Sequence, residues 1–119
     1  MVWVVEYTDE FGAWWNTLSE DEQIRVAAAV DVLEVHGPAL GRPFVESIHA
    51  SRHPNMKELR PRGGNLRGLF AFDPRRTALP LIGGDKTNRW QAWYARFIPI
   101  ADRLYDDHLA TLAREEQQP

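Results

Sequence analysis

The sequence predicts one α+β domain: a small antiparallel β-sheet with an N-terminal helical hairpin and a C-terminal helix, in the order β-α-α-β-β-β-α. Three observations predict it. Two stretches near the N-terminus repeat apolar residues at helical spacing. Between 56 and 83, short alternating runs are separated by turns rich in proline, glycine and asparagine. From Trp90 onward an apolar stripe returns in helical phase.

Residues 2–7 read as a strand, with Trp3, Val5 and Tyr7 on one face and Val4 and Glu6 on the other. Thr8 or Asp9 can cap a first helix, whose stripe is Phe11, Trp14, Trp15 and Leu18. Ser19 and Glu22 have the spacing of a capping box, which opens a second helix carrying Val26, Ala29, Val30 and Leu33. Gly37 and Pro38 stop that helix. Residues 38–55 show no period, and Gly41-Arg42-Pro43 and His53-Pro54-Asn55 read as loops.

Strands are expected at 56–60, 66–72 and 77–83. Pro61 ends the first, because proline has no N–H to donate to a ladder. The second carries Leu66, Phe70 and Phe72 on one face and Arg67, Leu69 and Ala71 on the other. Pro80 inside the third places it at an edge or a bulge. Short turns between successive strands imply an antiparallel meander. The closing helix holds Trp90, Trp93, Tyr94, Phe97, Ala101, Leu104 and Tyr105 in one stripe, which Pro99 either kinks or divides.

The 119 residues suit one domain, 1–112, followed by a polar and frayed tail, 113–119. A hydrophobic content of 44% excludes a disordered chain and suffices for a core. The absence of cysteine excludes disulfides, thiolate metal sites and a cysteine nucleophile, and agrees with a reducing cytoplasm. No apolar run approaches membrane-spanning length, and Glu6 comes too early for a signal peptide. A cytoplasmic location away from membranes is expected.

The net charge of −3 conceals a division along the chain. Residues 1–34 hold eight acids and one base, a sum of −7. Residues 42–96 hold eleven bases and four acids, a sum of +7, and nine of those bases are arginine. Guanidinium forks onto phosphate with two parallel hydrogen bonds, so this segment suits a phosphate ligand. The alternative is a solvated basic face.

Two constellations gather this charge. The first is Lys57-Glu58-Leu59-Arg60 followed by Leu66-Arg67-Gly68-Leu69-Phe70. Strand alternation sets Lys57 and Arg60 on opposite faces of a regular strand, whereas a bulge or twist would bring both to one cleft. Arg67 shares its face with Leu69 and Ala71, so it either sits at the sheet's open end or meets an acid, Glu58 or Asp73, or a phosphate. The second is Gly83-Gly84-Asp85-Lys86-Thr87-Asn88-Arg89, which ends a strand and opens a helix. It is either an anion-binding helix start or an ordinary capped connection. It is not a P-loop, since the glycine-lysine spacing is absent. No histidine pair at metal-ligand spacing is present, so neither a metal nor another cofactor is expected. Trp14, Trp15, Trp90 and Trp93 fall on helical stripes and read as core, although Trp90 and Trp93 lie near Arg89 and are placed to stack on bases.

Three runs carry a family resemblance: Lys57–Arg60, Asn65–Phe72 and Leu81–Thr87. Tyr94 and the ending Ile98-Pro99-Ile100-Ala101-Asp102-Arg103-Leu104-Tyr105-Asp106-Asp107-His108-Leu109 extend it, as do the opening strand and Phe11-x-x-Trp14. Over about residues 2–110 the chain resembles the phage-derived branch of the RelE/HigB superfamily of type II toxins.

That resemblance implies a metal-independent endoribonuclease that cuts messenger RNA on the ribosome and is held by a helix-turn-helix antitoxin. Carried over by position, Lys57, Arg60, Arg67 and Lys86 would be catalytic. Arg62, Arg89, Tyr94 and His53 would contact RNA, with His53 a fallback base. The catalytic aromatic position of some relatives is not cleanly matched; Tyr94 is the candidate for it. Two other readings of the same fold are an RNA-binding module without cleavage and a protein-interaction domain with a basic face.

Overall fold

In the computed structural model of the protein, residues 2–118 are described. Helix α1 (Asp9–Trp15) begins at Thr8, whose hydroxyl accepts from the Phe11 N–H at 3.0 Å and donates to the Leu81 carbonyl at 2.6 Å. One side chain thus caps the helix and ties it to the sheet. Helix α2 (Glu20–His36) opens with the expected capping box: Ser19 Oγ accepts from the Glu22 N–H, and Glu22 Oε1 from the Ser19 N–H. Gly37 ends it at φ +60, covered by the Trp3 indole, which a Cβ would overlap.

The sheet is fully antiparallel, in the order β1 (Val45–Ser47), β2 (Lys57–Leu59), β3 (Leu66–Phe72) and β4 (Ala78–Asp85). The meander β2-β3-β4 matches the sequence reading, and β3 has the expected bounds. β1 was not anticipated: three residues between Gly41-Arg42-Pro43 and the His53 loop are too few to show a period. The N-terminal strand is reduced to an extended segment with one parallel bridge, Val5 to Ala78. Its bonds run Ala78 N–H to Val4 O, Glu6 N–H to Ala78 O and Thr8 N–H to Pro80 O. Pro80 has no N–H to return, and the β3–β4 register shifts beside it, from Leu69–Ile82 to Phe70–Pro80. Pro80 therefore sits at both an edge and a bulge.

Alternation along β3 divides the core in two. Leu66, Phe70 and Phe72 pack with Leu59 against Phe11, Val26, Val30 and Leu33 of the hairpin. Leu69 and Ala71, with Leu79 and Leu81, pack against Trp93, Ile98, Ala101 and Tyr105 of α3 (Trp90–Glu116). α3 is one helix, with exposed Pro99 inside it, and residues 113–116 continue it. Among the described residues no helix is long and apolar enough to cross a membrane.

Candidate functional site

The α3 face of the sheet changes character at one end, where polar side chains from four elements replace the apolar core. β2 contributes Glu58, with Arg60 just beyond it. β3 contributes Arg67, the exit of β4 contributes Lys86, and the first turns of α3 contribute Tyr94. Sheet geometry dictates the grouping. Glu58 and Arg60 are two residues apart and share a face, and Arg67 lies opposite Gly84, next to Lys86's strand end. The turn that feeds Arg67 is fixed by Gly63 at φ +89 and by Arg25 Nη1 of α2, which donates to the Gly63 carbonyl at 2.8 Å.

Glu58 is the floor of this cluster. Its side chain is 0% exposed; Oε1 accepts from Arg60 Nε at 2.8 Å and lies 3.9 Å from Arg67 Nε. Arg60 also reaches Glu46 at 2.6 Å, and Arg42 pairs with the same carboxylate. Arg67 donates from Nη1 to the Leu66 carbonyl at 2.7 Å. Glu58 Oε2 and Arg67 Nε are buried without a hydrogen-bond partner, as are Arg25 Nε and Trp93 Nε1 elsewhere among the described residues. Lys86 Nζ lies 3.3 Å from the Tyr94 hydroxyl and 5.4 Å from its ring centre. Burial, and then the positive charges of Arg67 and Arg60, hold the Lys86 ammonium below its ordinary pKa. Burial, and then the Glu58 carboxylate, push the Tyr94 phenol up to about 12, so it stays a protonated donor at neutral pH.

Of the residues singled out in the sequence, Arg60, Arg67, Lys86 and Tyr94 come together. Lys57 points from the opposite face of β2 and makes no ion pair among the described residues. Arg62 is exposed in the β2–β3 turn, and Arg89 is exposed ahead of α3. His53 lies elsewhere: Nε2 is 2.8 Å from Asp106 Oδ1 and its ring packs edge-on against Tyr105. Along α3, Asp106 is about 18 Å from Tyr94 at ~1.5 Å per residue. Trp93 is core, stacked on Phe97 and covering Gly84, whereas Trp90 is 57% exposed.

Sequence reasoning weighed Glu58 only as a partner for Arg67 and missed it as a shared floor. The available signal was a lone acid inside a basic, alternating strand pair. The basic middle segment is also less free than its sum suggests. Arg52 pairs with Asp106, and Arg75 with Asp73 and Glu6, so these arginines staple the fold. Among the described residues no group of three or more His, Cys, Asp or Glu side chains is arranged to hold a metal.

Residues 13–106 match the family model described as "Phage derived protein Gp49-like (DUF891)". Two Mycobacterium tuberculosis proteins are similar. "Putative toxin HigB3" is 49% identical over 98 residues, covering 82% of this chain and 86% of that protein. HigB2, named in the same way, is 47% identical over 105 residues, covering 86% of this chain and 52% of that protein. Among solved structures, the fold resembles the archaeal RelE–RelB complex from Pyrococcus horikoshii, with a TM-score of 0.60 at 16% identity over 74% of this chain and 99% of that one. It also resembles the isolated E. coli RelE toxin, with a TM-score of 0.59 at 8% identity over 80% of this chain and 98% of that one.

Proposed function

The chain belongs to the Gp49-like branch of the RelE/HigB toxin superfamily, and from that membership we propose that it is the toxin of a type II toxin–antitoxin module, a metal-independent endoribonuclease acting on messenger RNA at the ribosome. The observation that carries the reading is the convergence of Arg60, Arg67, Lys86 and Tyr94 at one end of the α3 face of the sheet, with both guanidinium groups set by the buried Glu58. Guanidinium groups gathered beside an ammonium and a phenol suit a phosphate ligand.

The chemistry follows from the cluster. The ribose 2′-oxygen attacks the adjacent phosphorus, its proton leaves, and the 5′-oxygen of the next nucleotide departs with a proton. Negative charge grows on the phosphoryl oxygens. Arg67 and Arg60 stabilise that charge more in the transition state than in the ground state, and Glu58 keeps both guanidinium groups in place. The neutral Tyr94 phenol donates a hydrogen bond. Lys86, with its lowered pKa, is the better proton carrier of the two site lysines, because Lys57 lies on the far face. Arg62 and Arg89, exposed at either end, extend the path for the RNA backbone. The partner that silences the site is a helix-turn-helix antitoxin.

The test is cleavage of RNA by the purified protein in the presence of EDTA. The expected result is unchanged cutting. Activity that disappears with EDTA and returns with magnesium would overturn the metal-free mechanism.

A further inference from the structure

On the other side of the sheet, away from the arginines, the helical hairpin leaves a groove of about 350 Å³. Its walls are the rings of Tyr7, Phe11 and Trp15 together with Val26, Ala27 and Val30. Tyr7 stacks on Phe11 at 5.5 Å; Phe11 is buried at the floor, while Tyr7, 51% exposed, forms the solvent-facing lip and Trp15 is half-buried beside them. The polar edge is Asp31 and Glu34, one turn apart on α2. Neither has an ion-pair partner among the described residues; the α2 ion pair is Asp21 with Arg25, and Arg25 reaches to the Gly63 carbonyl. The only base in residues 1–34 is therefore already engaged, and the two acids that line the groove have no basic neighbour from that segment.

We infer that this groove docks a protein partner through an amphipathic segment that buries an apolar side chain between α1 and α2 and sets a lysine or arginine against Asp31 and Glu34. The inference goes beyond the nuclease reading and does not depend on it. Charge decides the occupant. A wall of aromatic and aliphatic carbon attracts apolar side chains of any source. The uncompensated acids repel nucleic acid and acidic segments and favour basic ones. Leu59, Leu66 and Phe70 face the hairpin, while Glu58 and Arg67 face α3, so a segment in the groove leaves the arginine cluster open. The partner would hold this protein by a surface separate from the one that handles phosphate.

The test uses the full chain and two short amphipathic helical peptides, each with leucine at i, i+3, i+4 and i+7. One carries lysine at the remaining positions and the other glutamate. Backbone amide NMR shifts locate binding. The lysine peptide should shift Gly12, Ala27 and Asp31 and leave Lys86 and Tyr94 in place; the glutamate peptide and a single-stranded oligonucleotide should leave the groove unshifted. The double substitution Asp31→Asn, Glu34→Gln removes the charge of an exposed and a half-buried side chain without altering shape and should weaken the lysine peptide about fivefold to tenfold, the effect of two solvent-accessible ion pairs. Ala27→Leu should weaken it by filling the groove. Equal affinity for the two peptides, shifts centred on Lys86 and Tyr94, or no binding of the lysine peptide would each overturn the inference.

Discussion

β3 begins and ends beside a buried carboxylate, and the two are treated differently. At its far end Asp73, with a side chain 0% exposed, is saturated. It accepts from Arg75 Nε at 2.9 Å and Nη2 at 2.7 Å, from the backbone N–H groups of Arg75 and Thr77, and shares a 2.9 Å contact with His108 Nε2. Arg75 continues to Glu6, so one carboxylate joins the N-terminal segment, the β3–β4 turn and α3. At the near end Glu58 is equally buried, yet one of its oxygens and the Nε of Arg67 lack partners. A buried polar network that is complete holds a fold together; one left incomplete costs stability and needs another reason to exist. The difference sets a complete staple at Asp73 against a network at Glu58 that is left open on the proposed RNA-binding side.

The largest expected effect on stability comes from breaking the complete network. Asp73→Ala strands the Thr77 N–H, His108 and Arg75 at once and should cost about 2–4 kcal/mol, discounted because Arg75 is partly exposed and keeps Glu6. Denaturant unfolding measures it. A loss below ~1 kcal/mol would show that the staple is dispensable.

Next in size is Gly83→Ala. The glycine pair Gly83-Gly84 invites comparison with anion-binding loops, but the indoles of Trp14 and Trp93 lie directly over the two positions. A methyl group at Gly83 would overlap the Trp14 ring, with an overpacking cost of about 1–3 kcal/mol. Equilibrium unfolding with unaltered cleavage per folded molecule is the expected result; lost cleavage at full stability would return these glycines to the site.

A smaller effect at Asp73 depends on pH. Burial opposes ionisation of Asp73, but His108, Arg75 and the Thr77 N–H outweigh it and hold the carboxyl below its ordinary value. A depressed folded pKa contributes stability at pH above the unfolded value near ~3.9 and loses it as pH falls through the folded pKa. Unfolding free energy should therefore fall with acidification below about pH 4, and Asp73→Asn should flatten that dependence.

Much of this architecture was legible because local rules and tertiary packing agree. The Ser19–Glu22 box, the alternation of 66–72 and the stop at Gly37 each follow from backbone geometry within a few residues. β1 and the reduced N-terminal strand were not legible in the same way. β1 exists because Val45, Glu46 and Ser47 meet Leu59, Glu58 and Lys57, a pairing that three residues cannot announce. The N-terminal ladder is cut short by Pro80, a residue more than seventy positions away. At the candidate site, alternation anticipated the separation of Lys57 from Arg60. The pairing of each arginine was not readable, because Arg52, Arg60, Arg67 and Arg75 look alike in sequence and differ only in which acid the fold brings to them.

The most direct test of the central claim is Arg67→Ala, assayed for unfolding and for growth inhibition on induction in cells. Removing Arg67 leaves the buried Glu58 paired with Arg60 alone at 2.8 Å, so stability should fall by about 1–3 kcal/mol with the protein still folded, while toxicity is abolished. Arg67→Lys should restore only part of it, because a point charge lacks the two-pronged hydrogen bonding of guanidinium. A folded Arg67→Ala protein that remains fully toxic would contradict the account, and one that fails to fold would make Arg67 a structural partner of Glu58 instead.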